Sequence, residues 1–132
     1  SATHARFTNT DPAGPYIPGA PNVVGSASVV FGEKLGWFGA IKLRYFGPRP
    51  LIEDDSVRSL SSTIVNARIG YNFDNGVRFQ VDALNLFNAN TNQIEYYYLS
   101  RLPNEPLAGV LDRHVHPVEP LALRASLRVP LQ

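Results

Sequence analysis

Two histidines near the end of the chain are the side chains best suited to metal or acid–base chemistry. His114 and His116 stand two residues apart and would share one face of a strand, where such a pair can bind a transition metal. A third ligand would have to come from Asp112 or Glu119. Hydrogen-bonding loop histidines are the commoner case, so we predict no metal site and no cofactor.

An acidic run, residues 53–55, invites a calcium-binding or general-acid interpretation. It lacks the spaced oxygen ligands and the glycine of a calcium loop, so a solvated turn paired with Arg49 or Arg58 fits better. The sequence contains no nucleophile motif and no phosphate-binding glycine loop. It contains no cysteine, which excludes thiolate ligands, thiol nucleophiles and disulfides. We therefore predict that the protein is not an enzyme.

The charges of the chain are nearly balanced. Twelve basic and 11 acidic residues give a formal net charge of +1, which offers no field to attract nucleic acid. No stretch approaches the roughly 20 apolar residues of a membrane helix. The first four residues lack the features of a signal peptide, so we expect a mature protein or a piece of a longer one.

Strands must position these groups, because apolar and polar residues alternate along much of the chain. In residues 37–46, Trp37 and Ile41 fall on one side while Lys42 and Arg44 fall on the other. Three more segments alternate in the same way, and an Asn-Gly pair between two of them predicts a tight hairpin. The strongest strand predictions are residues 37–46, 63–73, 77–84 and 121–129, and the weaker ones are 2–8, 23–31 and 93–100. Segments rich in proline and glycine, residues 11–21, 47–50 and 103–120, are predicted connections.

The predicted fold class is therefore all-β, an antiparallel meander of about seven strands forming one unit over residues 1–132. Two arrangements satisfy the alternation. A soluble sandwich or small barrel would turn the apolar face inward. A membrane barrel would turn it outward to lipid, and the aromatics near strand ends and strand lengths of about 8–11 residues suit that arrangement.

Three motifs resemble the C-terminal barrel region of TonB-dependent outer-membrane receptors. They are the segments Arg44 to Leu51, Asp82 to Asn88 and Tyr96 to Pro103. The Asn-Leu-Phe-Asn element at residues 85–88 is the most characteristic, and Asp112 to Pro120 resembles the approach to the final strand in some members. The chain departs from the family in ending Val-Pro-Leu-Gln instead of in an aromatic residue.

The resemblance implies a receptor in the outer membrane of a Gram-negative bacterium that imports a scarce nutrient, such as a ferric siderophore, with inner-membrane energy. Its partners would be outer-membrane lipid, the rest of the barrel, a plug domain, the TonB system and an extracellular solute. Because such barrels have about 22 strands, this chain would be an arc of the wall. An isolated arc is expected to form homo-oligomers or to close into a smaller β-structure. A soluble β-sandwich or small-barrel binding module is the alternative.

The resemblance also implies which side of the membrane each connection faces. If the terminal strand runs toward the periplasm, counting back along a meander places residues 103–120, 74–76 and 32–36 outside and residues 88–92 and 47–62 in the periplasm. The predicted ligand contacts on the outer loop are Arg101, Glu105, Asp112, His114 and His116. The predicted lumen-lining residues are Lys42, Arg44, Arg68, Arg78, Arg124 and Arg128.

Overall fold

Alternation of apolar and polar side chains produces strands throughout the chain. The computed structural model describes residues 1–8, 12–32 and 34–130, and within these ranges it contains seven strands and no helix. None of the described residues belongs to a helix that could span a membrane. The strands are β1 (Val24–Gly32), β2 (Gly36–Phe46), β3 (Ser62–Asn72), β4 (Arg78–Leu84), β5 (Asn92–Ser100), β6 (Val110–Pro117) and β7 (Ala122–Arg128).

The all-β class is confirmed, but the single meander is wrong. The strands form a five-stranded sheet in the order β1-β2-β3-β4-β7 and a separate two-stranded ribbon, β5-β6. β6 occupies a segment that the sequence predicted as a connection, and the predicted strand at residues 2–8 makes only isolated bridges at Ala2 and Arg6. Because β4 pairs antiparallel with β7, the chain between them leaves the sheet and returns to it.

The chain divides into two compact units that follow the two sheets. The sheet unit comprises Gly25–Tyr45, Thr63–Asn90 and Glu119–Gln132, and the ribbon unit comprises Ser1–Val24, Phe46–Ser62 and Thr91–Val118.

The β3–β4 hairpin forms as the Asn-Gly pair predicts. Gly76 has a φ of 81°, which a residue without a side chain adopts without strain. The side-chain oxygen of Asn75 accepts a hydrogen bond from the Val77 backbone N–H at 3.1 Å, and the Phe73 N–H donates to the Val77 carbonyl at 2.8 Å. The hairpin fixes a register in which Tyr71 lies opposite Phe79 and Arg68 lies opposite Asp82.

One face of the five-stranded sheet, here called the apolar face, carries no charged side chain. The β3–β4 and β4–β7 registers set Ile69, Val81 and Ala125 side by side on it. On β2, Trp37 joins this face by packing edge-on against Tyr71, with ring centroids 5.4 Å apart. Alternation assigns the remaining members, which include Val29, Phe31, Ile41, Leu43, Val65, Phe79, Leu123 and Leu127.

The opposite face, here called the arginine face, contains all six predicted lumen-lining residues. At the centre of this face, the ring of Phe38 packs over Gly70. Any side chain at Gly70 would overlap the Phe38 ring and the Phe79 backbone oxygen. The ring of Phe38 thereby crosses β3 from β2 and lies 3.9 Å beneath the guanidinium carbon of Arg78 on β4. This contact links three strands and holds Arg78 in place.

The two ends of the five-stranded sheet differ in their connections. Neighbouring strands are antiparallel, since Gly25 lies beside Tyr45, Trp37 beside Tyr71, and β4 pairs antiparallel with β3 and β7. The short β1–β2 and β3–β4 connections therefore share one end of the sheet with the end of β7, here called the short-turn end. The 47–61 loop and the excursion from β4 to β7 share the other, the long-loop end.

This topology corrects the sequence-based map of sides. That map changed sides at every predicted strand. It therefore set residues 74–76 on the side opposite the end of the terminal strand. In the structure, residues 74–76 lie at the same end as the end of β7, and β2 ends and β3 begins at the end where β7 starts. The error arose because the map counted residues 93–100 as one strand crossing the sheet, whereas in the described structure β5 pairs only with β6 and is not a strand of the five-stranded sheet.

Candidate functional site

The ribbon gathers three of the five predicted ligand-contact residues on one face. In its register Tyr96 lies opposite His114, Tyr98 opposite Asp112, and Ile94 opposite His116. Since residues two apart share a face, Asp112, His114 and His116 lie with Tyr96 and Tyr98 on what we call the tyrosine–histidine face. Tyr96 and Tyr98 are each 51% exposed, and this face lines an open depression.

A stacked pair organises the tyrosine–histidine face. The rings of Tyr98 and His114 are 4.0 Å apart between centroids and inclined by 14°. Within the described part of the chain, the buried Nε2 atom of His114 has no hydrogen-bond partner. No group of three or more potential ligands among the described residues could hold a metal ion. The face presents the exposed rings of Tyr96 and Tyr98 beside the imidazole of His114.

The other two predicted contacts, Arg101 and Glu105, form a turn at the ribbon tip. The Arg101 Nε donates to the Glu105 carbonyl at 3.2 Å, and the Leu102 N–H donates to the Glu105 carboxylate at 2.6 Å. Glu105 thus closes its own loop, and its carboxylate is partly engaged in doing so.

A buried carboxylate that the sequence did not single out anchors the opposite face of the ribbon. The side chain of Glu95 is 2% exposed and pairs with Arg113 at 3.1 Å. It also accepts hydrogen bonds at 3.2 Å from the Leu60 N–H and from the Asn92 amide. Arg113 in turn donates to the Arg58 carbonyl at 3.0 Å. The sequence offers one signal for this role. Glu95 is a single acidic residue between Ile94 and Tyr96, and alternation places it on the ribbon face opposite the tyrosine–histidine face.

Replacing Glu95 with glutamine is expected to loosen the ribbon unit. Glu95→Gln removes the charge that Arg113 neutralises in a largely buried position, at a cost of about 2 kcal/mol. Hydrogen exchange at the Leu60 amide should accelerate, because the glutamine NH2 group cannot pair with Arg113 and the loosened side chain holds its oxygen less firmly against the Leu60 N–H. The matched control is Glu105→Gln, which alters only the tip turn. Equal Leu60 exchange in Glu95→Gln and in the unmodified chain would contradict the anchoring role.

The acidic run at residues 53–55 forms a turn paired with Arg58, as the sequence predicts, but only Asp54 is exposed, since the Asp55 side chain is 18% exposed. Arg58 pairs with Asp55 at 3.0 Å. The Ser56 N–H donates to Asp54 at 2.9 Å, and this hydrogen bond lowers the pKa of the Asp54 carboxyl below its usual value. The turn is thus stabilised by the ionised form of Asp54 and loses that contribution as the pH falls through the lowered pKa.

On the arginine face, a hydrogen-bonded chain connects β3 and β4. Asp82 accepts a hydrogen bond from Arg68 at 2.6 Å and another from Gln80 at 2.7 Å. Gln80 accepts one from Arg78 at 3.2 Å. Lys42 lines a depression with Arg68 and Asp82. The six basic residues of this face exceed its one acidic residue, Asp82, so the face is strongly positive.

The Asn-Leu-Phe-Asn motif proves to be the joint between β4 and β7. Asn85 is 3% exposed and has a φ of 50°. Its amide donates to the carbonyls of Ala89 and Glu119 at 3.1 and 3.0 Å and accepts from the Ala89 N–H at 2.8 Å. Asn88 has a φ of 49° and accepts a hydrogen bond from the Leu121 N–H at 2.9 Å. Both asparagines therefore tie the departing chain to the returning chain.

Comparison with known proteins gave no match to a family model, to a curated protein or to a solved structure.

Proposed function

We propose that the chain forms part of the wall of an outer-membrane receptor, with its apolar face against lipid and its arginine face toward a hydrated lumen. The observation that carries the proposal is the exposure of the apolar face. Val29 is 69% exposed, Ile41 53%, Leu123 72% and Leu127 64%. A five-stranded face of this kind in water would be a large aggregation-prone patch, whereas lipid would solvate it.

Burial argues against the soluble alternative. A sandwich or small barrel buries the apolar side of its strands in a core. Among the described residues the buried hydrophobic side chains are Phe38, Leu51 and Ile64. Phe38 and Ile64 lie on the arginine face, so the apolar face contributes no member to this small core.

The dimensions and aromatic residues of the apolar face also fit a membrane wall. Together with the flanking Leu121 and Val129, the alternating apolar positions of the β7 segment span nine residues, about the length with which a tilted strand crosses the hydrocarbon layer. Aromatic residues gather at the short-turn end, where Trp37 packs on Tyr71 and Tyr71 packs on Phe73 with centroids 4.8 Å apart. Tyrosine and tryptophan favour the boundary between lipid and water, so this cluster supports an interfacial girdle.

The proposal assigns a side to each end of the sheet. Membrane barrels join their strands by short periplasmic turns and longer extracellular loops. On that basis the short-turn end faces the periplasm, where the end of β7 also belongs by the family resemblance. The long-loop end, where β2 ends, β3 begins and the excursion from β4 to β7 departs, faces outward. The tyrosine–histidine face is then the proposed contact surface for the extracellular solute.

The resemblance of the three motifs supports the receptor class. It leads us to propose a location in the outer membrane of a Gram-negative bacterium and energy-coupled import of a scarce nutrient such as a ferric siderophore. The remaining wall, a plug domain and the TonB system would be the partners. The lumen-lining role of the six basic residues is part of the same proposal, with no catalytic role and no resident cofactor.

Single cysteines test the assignment of sides. In cells that display the protein, Asp54→Cys in the 47–61 loop is expected to react with a membrane-impermeant maleimide. Asp74→Cys in the β3–β4 turn is expected to react only after the outer membrane is permeabilised. Both positions are exposed, so access to the reagent is the variable that differs between them.

The opposite labelling pattern would reverse the proposed sides. Labelling of both positions on intact cells would show that no membrane separates them and would contradict the proposal of a membrane wall. A denatured sample labelled at both positions controls for cysteine reactivity.

A further inference from the structure

We propose that the arginine face holds a binding site for a carboxylate group between Arg78 and Arg128, at the short-turn end. The two residues are direct partners across β4 and β7. Such partners have Cβ atoms about 4.5–5.5 Å apart, and like charges in this position repel. Arg78 and Arg128 line one depression together with Gln80 and Ser126. The site rests on this local geometry and stands independently of the membrane proposal.

Elsewhere on the same face, a carboxylate neutralises arginines on the neighbouring strands. Four residues along β4, Asp82 lies between Arg68 on β3 and Arg124 on β7, as the two registers place them. Asp82 bonds Arg68 at 2.6 Å, and the row alternates positive, negative and positive charge. In the row of Asn72, Arg78 and Arg128, Arg78 takes the β4 position that Asp82 holds in the other row, so these three strands supply no acidic residue to the row.

Arg78 is already held in place for binding. Its guanidinium lies on the Phe38 ring at 3.9 Å and donates to Gln80 at 3.2 Å. A restrained arginine loses little side-chain entropy when an anion arrives. Arg128 is exposed, and within the described residues no hydrogen bond or ion pair engages its guanidinium. It can therefore close on the anion from the other side.

The charges around the site favour an anion. An adjoining depression shares Arg78 and Arg128 and adds Lys34 and Asp74, so its described lining residues comprise three positive groups and one negative group. No ion pair joins Asp74 to Arg78 or Arg128 in the described structure. A carboxylate accepts paired N–H bonds from guanidinium groups, and the Ser126 hydroxyl adds a donor. The carboxylate can belong to a small solute or to an acidic side chain of a polypeptide.

The test is a titration of the full chain, held in uncharged detergent, with succinate and separately with a hexaglutamate peptide. Arginine Nε–Hε resonances are followed by NMR, with sodium chloride at equal ionic strength as the reference. We expect saturable shifts at Arg78 and Arg128. Arg128→Gln should weaken affinity by at least about tenfold, since it removes charge-assisted hydrogen bonds. Arg124→Gln, the same change on the same strand and face, should leave affinity unchanged.

The outcomes separate the two sources from each other and from a diffuse charge effect. Binding of succinate supports a free solute, and binding of hexaglutamate alone supports a polypeptide. Absence of saturable shifts with both probes, or equal weakening by Arg124→Gln and Arg128→Gln, would overturn the site.

The melting temperature of the Arg128→Gln variant distinguishes a binding role of Arg128 from a purely structural one. Without carboxylate, Arg128→Gln should raise the Tm, because it removes the repulsion between Arg78 and Arg128. It should also reduce the rise in Tm that a given concentration of carboxylate causes in the unmodified chain, because affinity is weaker. A lower Tm for Arg128→Gln without carboxylate would contradict the proposal.

Discussion

An arginine at position 125 is expected to abolish most of the affinity of the chain for lipid bilayers. Ala125 is an exposed residue in the middle of the apolar positions on β7, where it lies opposite Val81. If this face meets lipid, Ala125→Arg places a charge near the bilayer midplane. That placement costs about 2–4 kcal/mol in a membrane barrel, a fall in partition of roughly 30-fold to 800-fold. Flotation of the chain with uncharged phosphatidylcholine vesicles measures the effect.

The neighbouring residue supplies a matched control. Ser126 is also small and exposed, but it lies on the arginine face, opposite Gln80. Ser126→Arg adds the same side chain at almost the same depth and should change partition little, since that face would meet water. If Ala125→Arg and Ser126→Arg float equally well, the apolar face does not meet lipid. A soluble module would instead show no flotation in the unmodified chain.

The second large effect is expected at Asn85. Asn85→Ala deletes an amide that makes three hydrogen bonds while 3% exposed, and it leaves the Ala89 N–H and two carbonyls without their partner. A loss of about 3 kcal/mol in the free energy of unfolding follows. Denaturant titration followed by the fluorescence of Trp37, the one tryptophan of the chain, reports on the sheet unit.

Asn88→Ala is the control for backbone strain. Asn85 and Asn88 both have φ near 50°, so alanine suffers a similar penalty at either position. Asn88 is exposed and accepts one hydrogen bond, from Leu121, so its replacement should cost about 1 kcal/mol. Equal losses for Asn85→Ala and Asn88→Ala would show that conformation alone, and not the buried amide, stabilises the joint.

Much of the sheet could be predicted because period-two alternation is a local property. The predicted strand at 37–46 differs from β2 by one residue, and the Asn75-Gly76 hairpin forms where the sequence placed it. Alternation also sorted Lys42 and Arg68 onto one face before any register was known, because in each strand the charged residues stand at every second position.

Strand pairing across long separations could not be predicted, because alternation within a strand does not name its neighbour. β4 pairs with β7, and the partners Leu84 and Ala122 are 38 positions apart in the sequence. The Asn85 amide holds the end of β4 near the start of β7 by its hydrogen bond to Glu119. β6 was not predicted as a strand, because the prolines on either side of it favour a loop. The role of Glu95 depends on donors from Leu60 and Arg113, which are distant in sequence and become neighbours only in the fold.

The joint at Asn85 has a consequence for how this protein can change over evolutionary time. Because one amide binds the chain at Ala89 and at Glu119, the intervening segment departs and returns through a single point. Insertions, deletions or wholesale exchange of residues 90–118 would leave the β4–β7 register intact. Selection can therefore change the sequence and length of the ribbon while the pairing of β4 with β7 stays constant.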